Sequence, residues 1–193
     1  MHTKFILHGG CTSREHPNNK TFFKECVKGL ADGDVLLHIP FARKTEQDEE
    51  RVYQRDKQSL TNHTDKKIII KKANLETLAE QIDRANAVYV SGGKTALLKE
   101  RLLTVPDFAS RIRGKVYCGS SAGANVLSMY HTSYFGDDVQ QGLGILPICL
   151  MAHYGNPEFN AVSENKAWFD SYVDTYDLLL LPECGWLVKE YNI

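Results

Sequence analysis

One segment of the sequence places a serine among the small residues that an activated nucleophile requires. Gly119-Ser120-Ser121-Ala122-Gly123 has the pattern G-x-S-x-G and follows a short apolar run at 116–118. In this pattern a strand turns sharply into a helix and holds the serine at the turn. Only Ser121 has glycine two residues before and two residues after it, so Ser121 is the candidate nucleophile. The N–H of Ala122 is then a natural oxyanion donor, although the pattern also fits a plain turn.

A serine hydroxyl attacks a carbonyl only with the help of a base, and the chain contains seven histidines. His153 ends an apolar run that predicts a strand, which places it at the sheet edge that carries the serine. His153 is the first candidate for the base. His131, which follows the predicted helix after the serine, is the second. A loop histidine without a chemical role is an equally good interpretation of either one.

The base needs a carboxylate that orients it and stabilises its cation. Asp137 and Asp138 follow Gly136 in a loop between the serine and His153, and Glu183 follows a later apolar run. Any of the three acids could serve, and periodicity does not separate them. The two aspartates also fit an ordinary turn after glycine.

A second glycine-rich segment, Ser91-Gly92-Gly93-Lys94-Thr95, closes another predicted strand and opens a helix. Flexible glycines in this position can present backbone N–H groups to an oxyanion or a phosphate. The segment lacks the spacing of a P-loop or of a dinucleotide-binding loop. A plain turn between strand and helix is the alternative interpretation.

The elements that position these segments are predicted by short apolar runs that alternate with amphipathic stretches. The predicted strands are 5–7, 35–39, 68–70, 88–90, 116–118 and 178–181, and the predicted helices are 21–30, 46–63, 75–85 and 94–103. Alternating strands and helices predict βαβ units, a mainly parallel sheet and an α/β fold class. We expect one domain over residues 1–193, with its site at the strand ends.

Composition fits an ordinary globular protein and excludes a disordered chain. Of the 193 residues, 42% are hydrophobic and 24% are charged, and the net charge is −1. This balance gives no electrostatic reason to expect nucleic acid or an acidic membrane as a partner. No apolar run is long enough to span a membrane, and the N-terminus lacks a signal-peptide pattern. Five scattered cysteines without a CxxC pair favour a reducing cytoplasm over a disulfide framework or a zinc ribbon.

Three segments, taken in order, resemble the dipeptidase E and cyanophycinase family of serine peptidases. SGGKTALL (91–98) is similar to its GGNT segment, YCGSSAGAN (117–125) to its GxSAGA(N) elbow, and LPECGW (181–186) to its LPEGxW segment. His153-Tyr154 resembles the histidine–aromatic pair that supplies the base. The fold of this family is similar to that of class I glutamine amidotransferases. The resemblance therefore implies a three-layer α/β/α sandwich with a mainly parallel, flavodoxin-like sheet.

The resemblance also implies roles for individual residues. Ser121 would attack a peptide carbonyl, and His153 would act as general base and then as general acid. Asp138 is the choice for the acid, because the family places an aspartate in this loop, and Asp137 is nearly as suitable.

The remaining assignments concern the oxyanion hole and the substrate. The N–H groups of Gly93 and Ala122 would form the oxyanion hole, and Lys94 and Glu183 are assigned to substrate binding. The family hydrolyses small aspartyl peptides, or a β-aspartyl-arginine polymer, without a metal. We therefore expect a short peptide substrate, no cofactor and a monomer or homodimer.

Two departures from the family pattern put aspartate specificity in question. Lys94 stands where the family has asparagine, and a lysine there could attract a substrate carboxylate. The segment 162–170 contains no arginine where members specific for N-terminal aspartate carry one, and Lys166 is an imperfect substitute.

Two other functions fit the same fold. One is a cysteine-dependent amidase or amidotransferase-like protein, with Cys11 or Cys184 near the site. The other is a non-catalytic protein that binds a small ligand or a partner. Catalysis requires that His153 and an acid lie within hydrogen-bonding reach of Ser121.

Overall fold

Two β-sheets and the helices around them make up the described part of the chain, residues 2–132, 138–158, 170–171 and 175–193 of a computed structural model. The strands are β1 (His2–His8), β2 (Val35–Ile39), β3 (Ile69–Lys72), β4 (Ala87–Val90), β5 (Val116–Ser120), β6 (Tyr130–Thr132), β7 (Val139–Gln141), β8 (Ile148–Ala152), β9 (Asp177–Leu181) and β10 (Trp186–Asn192). The helices are α1 (Pro17–Val27), α2 (Glu46–Thr61), α3 (Leu78–Arg84), α4 (Thr95–Leu103), α5 (Phe108–Ile112) and α6 (Ala122–Asn125), with a 3₁₀ turn at Leu75–Thr77.

The larger sheet has six strands in the order β10-β1-β5-β4-β2-β3. Its strands are parallel except for β10, which pairs antiparallel with β1. The smaller sheet has the order β7-β6-β8-β9, in which only the β6–β7 pair is antiparallel. The α/β fold with a mainly parallel central sheet, which the alternating pattern predicts, is confirmed.

Apolar side chains cover both faces of the larger sheet. Phe5 and Leu7 of β1 belong to one buried cluster together with Leu98 of α4. Ile6, between them, belongs to a second cluster with Phe22 of α1. Since successive side chains of a strand point to opposite faces, the sheet lies between two helical layers. Burial on both faces explains why its inner strands appear in the sequence as largely apolar runs.

The structure also contains elements that the sequence patterns do not predict. The run at 178–181 lies in the second sheet rather than in the central one, and β10 forms an antiparallel edge next to β1. Helix α2, interpreted from its charges as an exposed helix, buries Val52, Tyr53 and Leu60. Within the described ranges, no helix combines the length and the apolar character that a membrane span needs.

Candidate active site

Ser121 occupies a strained turn between β5 and α6. Its φ of 48° and ψ of −107° lie where residues with a side chain are rarely found, and its N–H donates to the carbonyl of His8 at 2.8 Å. A Cβ on Gly119 would lie 2.4 Å from the carbonyl oxygen of Gly123. A Cβ on Gly123 would lie 2.2 Å from the carbonyl oxygen of Val90. Both glycines of the G-x-S-x-G pattern are therefore required by backbone packing.

His153 follows β8, and its ring lies against this turn. The Nε2 atom is 3.0 Å from Oγ of Ser121. The backbone of His153 has a φ of 56°, and its N–H donates to the carbonyl of Gly9 at 2.9 Å. A Cβ on Gly10 would lie 2.4 Å from Nε2. Glycine at position 10 thus leaves the space that the imidazole fills.

Glu183, and not Asp138, is the carboxylate that contacts the imidazole of His153. Its Oε1 lies 3.1 Å from Nδ1, whereas Asp138 is exposed and accepts a hydrogen bond from Nε2 of Gln140 at 3.2 Å. The cause is the strand order. Strands β8 and β9 are parallel neighbours, so the residues that follow them meet, whereas Asp138 precedes β7, which β6 separates from β8. Asp137, the other candidate, lies outside the described residues, as does Lys166.

Several donors surround the carboxylate of Glu183. The Nη2 atom of Arg14 lies 2.7 Å from Oε2, and Nδ2 of Asn156 donates to Oε1 at 2.7 Å. Burial raises the pKa of Glu183, but hydrogen bonds from Asn156, His153, Cys11 and Arg14 outweigh it and lower the pKa to about 2. The carboxylate is therefore ionised at neutral pH and can orient an imidazole and stabilise its cation.

Two backbone amides belong to the turns near Ser121: Ala122 follows it in the chain, and Gly93 lines the same cleft as Ser121. Gly93 follows β4, and Ala122 is the first residue of α6. Within the described residues, neither N–H donates to another backbone or side-chain group. Gly93 has a φ of 151°, and a Cβ on it would lie 2.3 Å from the carbonyl oxygen of Ala42. Neither amide is thus occupied by another group of the described residues, and their role as an oxyanion hole stays a prediction.

The sequence of this chain also matches the model of a known peptidase family. The model of peptidase family S51 matches residues 5–190. The chain belongs to peptidase family S51. It is a serine peptidase that acts on peptides, as the resemblance to dipeptidase E and cyanophycinase implies. His153 also lies within hydrogen-bonding reach of Ser121, as catalysis requires.

Solved structures resemble this S51 peptidase along its whole length. A candidate peptidase E protein from Listeria monocytogenes EGD-e is 16% identical, with a TM-score of 0.66 and all of both chains covered. A peptidase from an acI-B1 actinobacterium is 25% identical, with a TM-score of 0.71, and the match covers 97% of this chain and 83% of that one. No curated protein shows significant sequence similarity.

Ser121 of the S51 peptidase lines a cleft of about 630 Å³ with several basic side chains in its wall. Arg43, Lys44 and Lys94 line it together with Ser121 and His153. A side-chain hydrogen-bond interaction with Lys44, together with the charge of Lys44, lowers the pKa of Lys94, so the two side chains are close. Lys94, assigned to substrate binding from the sequence, thus lies in the same cleft as Ser121.

The other candidates for chemistry have different environments. His131 is buried in β6, its Nδ1 is 2.8 Å from the carbonyl of Thr132, and burial lowers its pKa. Burial and Glu183 raise the pKa of Cys11 to about 11, so its thiol is protonated and a weak nucleophile. The Cys184 thiol donates to the carbonyl of Cys11 at 3.8 Å. Cys11, together with His153 and Glu183, is the described group that could hold a metal ion.

The depressed pKa of Glu183 predicts a pH-dependent contribution to stability. A carboxyl with a pKa of about 2 when folded and 4.5 when unfolded stabilises the protein above pH 4.5, and this contribution disappears as the pH falls towards 2. We expect wild type to exceed Glu183→Gln in free energy of unfolding, by a margin that shrinks by about 2 kcal/mol between pH 7 and pH 3. Urea denaturation at both pH values measures this margin. An equal margin at the two pH values would contradict the prediction.

Proposed function

We propose that Ser121, His153 and Glu183 are the catalytic triad of this S51 peptidase. The observation that carries the proposal is the continuous contact from Oγ through Nε2 and Nδ1 to Oε1, with distances of 3.0 Å and 3.1 Å. Such a chain lets a base activate the hydroxyl while a carboxylate orients the base. Glu183 takes the role that the family resemblance gave to Asp138.

Hydrolysis begins when Oγ of Ser121 attacks the carbonyl carbon and Nε2 of His153 takes the hydroxyl proton. The charge on the carbonyl oxygen is stabilised by the N–H groups of Gly93 and Ala122. His153 then gives its proton to the leaving amine, and an acyl-serine remains. A water molecule, deprotonated by the same imidazole, attacks the acyl carbon and releases the acid. Throughout, Glu183 stays ionised and holds Nδ1–H.

Labelling with a small fluorophosphonate tests the triad without knowledge of the substrate. The probe phosphonylates only a serine that a base has activated. Intact mass should reveal one adduct on wild type and none on Ser121→Ala. Ser120→Ala is the matched control, since its hydroxyl neighbours the nucleophile in the chain and takes no part in the mechanism. An adduct that persists on Ser121→Ala contradicts the proposal. So does the absence of any adduct on wild type both with the fluorophosphonate and with a smaller sulfonyl fluoride.

We also propose that the peptide carries a carboxylate near the scissile bond, such as an aspartyl side chain. Four cations line the cleft. Within the described residues Arg43, Lys44 and Lys94 form no salt bridge, whereas the fourth, Arg55, pairs with Asp56. The buried Nε of Arg43 has no hydrogen-bond partner. A substrate carboxylate would supply the missing acceptor and reduce the repulsion between the two lysines.

Removing the positive charges of Lys94 or Arg43 should therefore weaken the binding of acidic substrates selectively. For Lys94→Gln and Arg43→Gln we expect KM for an aspartyl dipeptide to rise about fivefold each, while KM for the matching asparaginyl dipeptide stays within twofold. Steady-state kinetics on the two dipeptides measure the ratio. Lys99→Gln, whose parent side chain bonds to the carbonyl of Gln141 outside this cleft, is the control. An equal loss on both dipeptides would rule out charge recognition.

A further inference from the structure

The thiol of Cys11 lies beside the proposed triad but takes no part in the proposed hydrolysis. One ligand atom from each of Cys11, His153 and Glu183 lies within 4.8 Å of the other two. All three residues are partly exposed, and Cys11 and His153 line the cleft. A cation from solvent can therefore reach them.

Backbone contacts hold the loops that carry these ligands in place. Cys11 and His153 both have a positive φ, 61° and 56°. The Cys11 carbonyl accepts a hydrogen bond from Nδ2 of Asn19 at 2.9 Å, and the Cys184 N–H donates to the carbonyl of Gly10 at 3.0 Å. Because the loops are fixed, rotations of side chains rather than refolding would bring the ligand atoms to bonding distance.

The donor set selects the kind of cation. A sulfur, an imidazole nitrogen and a carboxylate oxygen are the ligands of Zn²⁺, which also accepts water as a fourth ligand. Mg²⁺ and Ca²⁺ prefer sites made of oxygen atoms. The cluster therefore fits zinc, or a cation of similar chemistry, better than the hard divalent cations.

We propose that Cys11, His153 and Glu183 form an inhibitory zinc site. The ion binds Nδ1 of His153 and an oxygen of Glu183 in place of the hydrogen bond between them, and it binds the sulfur of Cys11, whose proton passes to solvent. The imidazole then carries its proton on Nε2, so it cannot take the proton of Ser121. Binding of the ion stands independently of the proposed function, whereas inhibition rests on it.

Arg14 should limit the affinity of this site. Its Nη2 lies 2.7 Å from Oε2 of Glu183 and 3.9 Å from Sγ of Cys11, so its positive charge opposes a cation there. We expect Arg14→Gln to bind the ion more tightly than the parent does. A cation held elsewhere on the surface would not respond to this substitution.

Cobalt(II) titration of Ser121→Ala tests binding without any measurement of activity. Cobalt bound to a thiolate gives a charge-transfer absorption band in the near ultraviolet. We expect this band to saturate at one ion per chain, to disappear on addition of ZnCl₂ and to be unaffected by MgCl₂. The band should be absent from the double variants in which Ser121→Ala is combined with Cys11→Ser or with His153→Ala. It should remain when Ser121→Ala is combined with Cys184→Ser, which removes the neighbouring thiol. Circular dichroism verifies that each variant is folded.

Inhibition is measured separately on the enzyme with its serine intact. ZnCl₂ should suppress hydrolysis reversibly, a chelator should restore it, and Cys11→Ser should need at least about tenfold more zinc for the same fractional inhibition. Absence of the cobalt–thiolate band in folded Ser121→Ala, or its persistence after Cys11→Ser, overturns the zinc site. A normal band together with failed fluorophosphonate labelling overturns the triad and leaves the zinc site standing.

Discussion

Replacing Ser121 by alanine should lower kcat/KM for peptide hydrolysis by at least about 10⁴-fold. Without Oγ no acyl intermediate forms. The amides of Gly93 and Ala122 could then stabilise only the direct attack of water on the peptide carbonyl, which is a far slower reaction. Initial rates of aspartyl dipeptide cleavage, followed by chromatography of the released amino acid, measure the loss.

Ser120→Ala is the control for this loss, since the two serines are adjacent in the chain but only Ser121 faces His153. It should retain more than half of the wild-type rate. Thermal unfolding of both variants verifies that they are folded. If Ser121→Ala retained a rate within tenfold of wild type, another group would have to be the nucleophile.

The second large effect is expected at the acid. Glu183→Gln should reduce kcat by about 10³- to 10⁴-fold with little change in KM, because an amide neither fixes the tautomer of His153 nor stabilises its cation. Asp138→Asn should change kcat by less than twofold, since its carboxylate bonds to Gln140 and not to the imidazole. Steady-state kinetics on one aspartyl dipeptide compare the two variants directly. The opposite order of effects would return the acid to Asp138 and contradict the proposed triad.

The turn at Ser121 and the place of His153 beside it were predictable from the sequence because their signals are local. Glycine at 119 and 123 is required by contacts of backbone atoms within a few residues of Ser121 or on the neighbouring strand. His153 follows an apolar run that is indeed a strand, β8. The same holds for the inner strands of the central sheet, such as β2 and β4, which are buried on both faces and appear as largely apolar runs.

The contact of Glu183 with His153 was not predictable, because it depends on a pairing between strands far apart in sequence. Nothing in the residues around Glu183 specifies that β9 lies next to β8, and Asp138 was chosen because the family resemblance places an aspartate in its loop. Arg14 and Asn156, which bond to the same carboxylate, carried no signal except that Asn156 follows His153 closely. The strand β10, with its mixture of polar and apolar residues, likewise gave no clear pattern.

Four residues around the proposed triad have left-handed backbone conformations: Cys11, Ser121, His153 and Cys184. Each such residue costs of the order of 1–3 kcal/mol, which the surrounding contacts must offset. At Ser121 and His153, selection for thermal tolerance alone would therefore favour glycine or asparagine and would produce more stable proteins without the proposed nucleophile and base. Laboratory evolution of this enzyme needs selection for turnover at every round, since two of its strained residues are the ones to which the proposed chemistry is assigned.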